Sequence, residues 1–349
     1  MISLVRRFPA ATFAVCLGFA AMTGCGGGAG GSKPQASSKP RIIFVTNSNA
    51  DWWTAVEKGM KDAAAELNVD AEMRRNEGSV QGQIRILKDV LSLPDVEGVA
   101  VSVIEAKAEG VASAMRELRK AGKIVIAIDS DGAADSREAY IGTDNRAAGR
   151  IAGKVAAALR PKGGPVVVFV GSKEAANAID RRESFFAGAG DAFTELETFT
   201  DGGDKNRAAV NVRTAITKYP EMGVMLGIWS YNAPAIAQEI NKFAELRAKV
   251  TVITFDLDER AVDQLANGWI DATVCQNPYD IGFKGVKLLK AKIQKDQKTI
   301  NEMLPGGATT IETGVRVILP KADSRVKVDN VMTIEEMKKW LTSKGLKSS

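Results

Sequence analysis

The chain has 349 residues, 45% hydrophobic and 26% charged, the balance of a soluble globular protein long enough for two domains of ordinary size. It contains no His, which removes the usual general base and the commonest transition-metal ligand together. The formal net charge of +5 is a small excess of scattered bases rather than a basic patch, so nothing in it supports nucleic-acid binding.

In chain order, Arg6 and Arg7 precede the apolar run AATFAVCLGFAAM, too short to span as a mature helix, and MTGC (22–25) closes it with small residues. This is the pattern of a secretory signal. Small residues before a Cys, followed by GGGAGGS, resemble the lipobox of bacterial lipoproteins, although Met22 stands where Leu is usual. The resemblance implies a signal peptide over 1–24, lipidation at Cys25 and a membrane anchor; a plain secretory signal with an incidental Cys is the alternative. The Gly/Ser/Lys/Pro/Gln segment of 25–40 is then a flexible tether. Loss of Arg6 and Arg7 takes Lys+Arg from 47 to 45 against 42 acids, a mature net charge of +3. Cys16 leaves with the signal and Cys25 is acylated, so Cys275, in the apolar run ATVCQ, has no disulfide partner and is expected to be a small buried hydrophobe.

From Arg41 onward, β-branched runs alternate with stretches of helical periodicity. The expected strands are RIIFVT, VDAEMR, GVAVSV, KIVIAI, PVVVFV, GVMLGI, VTVITF and DATVCQ. Several are continuously apolar, as strands covered on both faces should be, and TAVEKGMKDAAAELN and QGQIRILKDVLSL space their apolar residues as helices do. Repeated βαβ units predict an α/β protein with doubly wound parallel sheets. KIVIAIDSDG and VTVITFDLDE each run an apolar strand into Asp-x-Asp, which places Asp129 and Asp256 at carboxyl ends of strands in the two halves, where open α/β sheets bind ligands. GAGDAF (188–193) lacks the strand-turn-helix setting of a dinucleotide fingerprint, and GSKEAAN is not a phosphate-binding loop because no Gly-Lys-Ser/Thr follows.

The segments IIFVTNSNADWW, KIVIAIDSDG, AYIGTDNRAAGRIAG, AIDRRESF and VITFDLDE with DATVCQNPYDIGFKGV, in this order and spacing, resemble the periplasmic sugar-binding proteins of the ribose-binding type, the substrate receptors of ABC importers. The resemblance runs from about Arg41 to Thr313. It implies two doubly wound lobes joined by a three-strand hinge with the ligand cleft between them: residues 41–144 with 277–310, and 145–276 with 311–349. KADSRVKVDN and TIEEMKKWLTSK form a C-terminal extension expected on the second lobe.

A sugar presents hydroxyls that both donate and accept, and a flat patch of C–H groups; a receptor needs acids, amides and an aromatic face. The resemblance places Asn49, Trp52 and Trp53 in the first-lobe loop that carries an amide and paired aromatics, with a hydrophobic staple as the alternative for Trp53. It makes Asp129 an acid for sugar hydroxyls. Ser130 stands where ribose-type receptors have Arg, which removes a bidentate donor and puts ribose itself in doubt. Arg181, followed by Arg182, aligns with the second-lobe cleft Arg. The loop TDGGDKNRAA lacks the usual second-lobe aromatic, and Trp229 is expected to replace it, with Asn232 as a neighbouring contact. Asp256 and the hinge amide Gln276 complete the set. Asp144 and Asn145 read as caps of the following helix.

The function implied is capture of a neutral sugar or polyol by lobe closure and delivery to an ABC permease, by a monomer with no cofactor and no catalysis. A sensor presenting a sugar or furanosyl signal to a membrane receptor is the alternative. A glycosidase would also use paired acids, and a sugar-responsive repressor would need a helix-turn-helix where this chain has a signal and a tether.

Overall fold

The computed structural model describes residues 39–349. The expected signal segment, Cys25 and nearly all of the expected tether lie outside the described residues. In chain order the first half holds strands β1 (Arg41–Val45), β2 (Asp70–Arg74), β3 (Val96–Val101), β4 (Ile124–Ile128) and β5 (Tyr140–Gly142). Helices α1 (Trp53–Leu67), α2 (Val80–Leu91) and α3 (Glu109–Lys120) connect the first four. The second half holds β6 (Gly164–Val170), β7 (Phe193–Thr200), β8 (Val224–Gly227), β9 (Thr251–Phe255) and β10 (Ala272–Cys275). Its helices are α4 (Asn145–Leu159), α5 (Ala176–Ala189), α6 (Lys205–Lys218), α7 (Asn232–Ile240), α8 (Ala244–Arg247) and α9 (Glu259–Ala266). Then come α10 (Pro278–Ile293), α11 (Gln297–Met303), β11 (Thr310–Glu312), β12 (Arg316–Leu319), β13 (Val331–Thr333) and α12 (Ile334–Ser343).

The strands form two sheets, one in the order β11-β5-β4-β3-β1-β2 and one in the order β13-β12-β10-β9-β8-β6-β7. Every pairing is parallel except β10 with β12. Strands β1–β5 and β6–β10 take the same order, with the first strand of each set between the second and the third, so the internal echo in the sequence is an echo in topology. The central strands are buried on both faces because helices cover both, and two apolar clusters fill the two sides of each sheet.

The chain passes between sheets three times: at Thr143–Asp144 between β5 and α4, at Gln276–Asn277 between β10 and α10, and at Thr313–Val315 between β11 and β12. Helix α4 buries Ala148, Ala152 and Val155 in the second sheet's core, whereas α10 returns Ile281, Val286 and Leu289 to the first. The first sheet holds the chain through Glu312, two residues beyond 310. Side-chain caps start many of the helices: Asp144 accepts from the Ala147 N–H at 2.8 Å, Asp204 from Asn206 and Arg207, and Thr333 with Glu336 forms a reciprocal capping box on α12. Beyond Leu319, β13 adds to β12, and α12 buries Ile334, Met337 and Leu341 in the second sheet's core. No helix among the described residues is long and apolar enough to cross a membrane.

Candidate ligand cleft between the lobes

Asp129 directly follows β4 and Asp256 directly follows β9, the fourth strand of each set, and both take a left-handed backbone, with φ of 59° and 60°. Asp is among the few residues that tolerate this region, and the turn aims each carboxylate off the strand end. Asp129 is buried, and its Oδ2 accepts from Ser102 Oγ at 2.8 Å and from Asn47 Nδ2 at 3.4 Å. Burial pushes its pKa up to about 6, against the Ser102 hydrogen bond and the charge of Arg181. The amide beside Asp129 is therefore Asn47. Asn49, expected there, is exposed and donates to Glu77 at 3.3 Å, because the loop turns it to the surface. Ser130 is buried next in sequence, and Asp131 is held by a bidentate pair with Arg137 at 2.6 and 2.5 Å.

The two tryptophans separate. Trp53, 1% exposed, lies with Ile42, Phe44 and Val56 in the first-lobe core and donates from Nε1 to Ser48 Oγ at 3.3 Å. The staple alternative describes it, since the first turn of α1 points its ring inward. Trp52 is half-buried, packs edge-on against Trp53 at 5.0 Å, and has a buried Nε1 without a protein partner.

Across the hinge, Arg181 of α5 is 1% exposed. Its Nε donates to Asn145 Oδ1 at 2.9 Å, its Nη1 to the Ile228 carbonyl at 3.1 Å and to Asp256 Oδ2 at 3.5 Å, and its guanidinium lies 4.9 Å over the Phe255 ring. Arg182 instead pairs with Glu195 on the outside of the lobe, so the cleft guanidinium is that of Arg181. Asn145 is more than a helix-start residue: Asp144 does the capping, and Asn145 orients Arg181. Asp256 also accepts from Gln276 Nε2 at 3.0 Å; burial raises its pKa while Arg181 opposes the shift.

Trp229 follows β8 and Ile228. Its N–H donates to Asn232 Oδ1 at 3.0 Å, its indole Nε1 to Asn177 Oδ1 at 3.4 Å, and its ring lies edge-on to Tyr231 at 6.3 Å. Asn232 is fully buried, and its Nδ2 donates to Asp201 Oδ2 at 3.2 Å. Its oxygen and its nitrogen are thus each engaged within the lobe, which makes Asn232 a support of Trp229. The ring has space only because residue 171 is Gly: a Cβ there would fall 1.9 Å from the Trp229 ring.

Several buried polar atoms here lack a protein partner: Arg181 Nη2, Gln276 Oε1, Asn277 Oδ1, Thr143 Oγ1 and Trp52 Nε1. Buried polar groups are almost always satisfied, and these atoms include both donors and acceptors, as a polyhydroxylated molecule requires. A cavity of about 240 Å³ opens beside the hinge, lined by Ser130 and Asp131 from the first lobe and by Asn145, Asn177 and Asp180 from the second. At the rim, Lys205 of the second lobe meets Asp51 of the first at 3.3 Å, both exposed.

A family model of the periplasmic binding protein domain matches residues 42–297. The chain is a periplasmic binding protein of the ribose-binding type. Similar curated relatives of this periplasmic binding protein include the D-allose-binding periplasmic protein of Escherichia coli K12, 28% identical over 269 residues, 73% of this chain and 84% of the relative. They also include the ribose import binding protein RbsB of Salmonella typhimurium, 22% identical over 267 residues, 76% of this chain and 88% of the relative. Among solved structures, an ABC transporter solute-binding protein of Burkholderia graminis in complex with D-arabinose superposes with a TM-score of 0.74 at 26% identity, covering 81% of this chain and 96% of that one. GanP, a glucose-galactose binding protein of Geobacillus stearothermophilus, gives 0.73 at 27% identity, covering 82% and 99%. The two-lobed fold of this periplasmic binding protein is therefore the fold of those neighbours.

Sequence reasoning missed Asn47, Ser102, Asn145 and Asn177 as parts of the cleft. Asn47 lies two residues from the amide that was expected, within NSNADWW. Nothing local marks Ser102 or Asn177, which reach the site only through the order of the strands.

Proposed function

We propose that this protein is the substrate-binding component of an ABC importer, which captures a neutral sugar or polyol between its lobes and delivers it to a membrane permease. The observation that carries the reading is the facing set of Asp129, Arg181, Asp256 and Gln276, with unpaired donors and acceptors beside them and Trp52 and Trp229 at hand. Two carboxylates against one guanidinium disfavour an anion, and hydrogen bonds to such charged groups contribute about 1.5–3 kcal/mol each. The lobes, residues 41–144 with 277–312 and 145–276 with 313–349, move as two bodies about the crossings, and the ligand stabilises the closed form by contacts made only there. Binding without turnover is the whole task, no cofactor is required, and the receptor works as a monomer. The signal pattern ending at Cys25 supports export to the periplasm with a lipid anchor.

Titration of the purified mature protein with pentoses, hexoses, deoxysugars, inositols and amines, read by intrinsic Trp fluorescence, tests this reading. A saturable response to a neutral sugar or polyol is expected. Tight binding of a sugar acid or sugar phosphate with no response to neutral sugars would overturn it.

A further inference from the structure

The loop TDGGD between β7 and α6 carries no aromatic residue, yet its first acid is almost completely enclosed. Asp201 is 1% exposed and pairs with no cation among the described residues. Its Oδ1 accepts from Tyr231 OH at 2.5 Å and from the Gly203 N–H at 2.9 Å, and its Oδ2 accepts from Asn232 Nδ2 at 3.2 Å. A buried carboxylate satisfied only by neutral donors is costly to keep and rigid once satisfied.

Each side-chain partner leads to Trp229. Asn232 takes the Trp229 N–H on its Oδ1, and its own N–H donates to the Trp229 carbonyl at 3.0 Å. The Tyr231 ring meets the indole edge-on, and its hydroxyl lies within 2.6 Å of where a Gly171 side chain would begin. The same loop is fastened to that glycine, since the Asp201 N–H donates to the Val170 carbonyl and the Gly202 N–H to the Gly171 carbonyl at 2.9 Å. The loop's last turn starts α6 at Lys205, whose ammonium meets Asp51 beside Trp52 on the facing lobe.

We infer that Asp201 is a positioning residue of the cleft: through Tyr231 and Asn232 it fixes Trp229 as the second-lobe wall, and so sets affinity without touching the ligand. The inference rests on the cleft's being the sugar site. An acceptor-only group is needed because three donors converge on it. Asn at 201 keeps one acceptor oxygen and turns an N–H₂ toward another donor, so it restores only part of the network.

The test uses the full mature chain with D201A, D201N, Y231F, W229A and the D201A/W229A double variant. Acrylamide quenching of Trp229, taken as the difference between each protein and its W229F counterpart, needs no ligand. Quenching should increase in D201A and rise less in D201N and Y231F; unchanged quenching in all three overturns the inference, and D201N with Y231F carry the measurement if D201A does not fold. Calorimetric titration with D-allose and D-arabinose gives the second readout. W229A and D201A should each weaken binding about 2- to 10-fold, the range of one aromatic contact, and the double variant no more than W229A alone. A double variant weaker than W229A by the full factor of D201A would show that Asp201 acts elsewhere. If wild type binds neither sugar, these ligands are wrong for the cleft, and the quenching series still decides whether Asp201 holds Trp229.

Discussion

Asp129→Asn removes a charge and almost nothing else. Asn tolerates the left-handed φ of 59° at this position, and an amide oxygen in the place of Oδ2 keeps the bonds from Ser102 and Asn47. The native Asp129 carboxyl holds its proton up to about pH 6, whereas the unfolded one titrates near its ordinary value of 3.8. Between those values the native state binds more protons than the unfolded chain, so this group makes ligand-free stability fall as pH rises. Two pH units of difference amount to about 3 kcal/mol, fully lost above the folded pKa. Urea unfolding of ligand-free wild type and D129N from pH 4 to pH 8 measures the difference. D129N should gain on wild type by about 2–3 kcal/mol across the range, with the change centred between pH 4 and 6. Parallel profiles would refute the reasoning, because they would mean that Asp129 is as well solvated in the native state as in the unfolded one.

In the liganded state, hydroxyls donated to the Asp129 carboxylate favour its charged form, so affinity should weaken as pH falls below about 6, by at most about tenfold per pH unit, and D129N should bind weakly with a flat profile. Trp53→Ala should cost about 3–5 kcal/mol of stability in a thermal or urea melt, as expected for an aromatic that is 1% exposed. Trp52→Ala should leave the melt near wild type and weaken sugar binding about 2- to 10-fold by calorimetry. Lys205→Ala should change stability by less than about 1 kcal/mol, because its pair with Asp51 is exposed on both sides.

The strands buried on both faces were legible because continuous β-branched runs announce themselves: RIIFVT, KIVIAI and VTVITF contain β1, β4 and β9, and PVVVFV is β6 from its second residue on. The paired Asp-x-Asp signal likewise pointed to the strand ends that hold Asp129 and Asp256. β7 escaped notice because it is an edge strand, half-exposed, with five Thr and Glu residues among the eight of FTELETFT and no continuous apolar run. β5, β11 and β13 are three residues each, too short for any periodicity to register. Within the site, residue type was readable but direction was not. Trp52 and Trp53 are adjacent and chemically identical, and only the first turn of α1 decides that one enters the core. Asn47 and Asn49 differ in the same way, by which way a short loop turns. The buried state of Asp201 was hidden because its partners, Tyr231 and Asn232, lie thirty residues downstream.

The central claim is that a neutral polyhydroxylated ligand is held between Asp129 on one lobe and the Arg181–Asp256 pair on the other. Calorimetric titration of wild type and Arg181→Ala side by side, over the neutral sugars and polyols with sugar acids and phosphates included, addresses it most directly. Wild type should bind a neutral compound saturably and the variant at least about tenfold more weakly, the worth of one charge-assisted hydrogen bond. Equal affinity in the two proteins, or a wild type that answers only to anions, would contradict it.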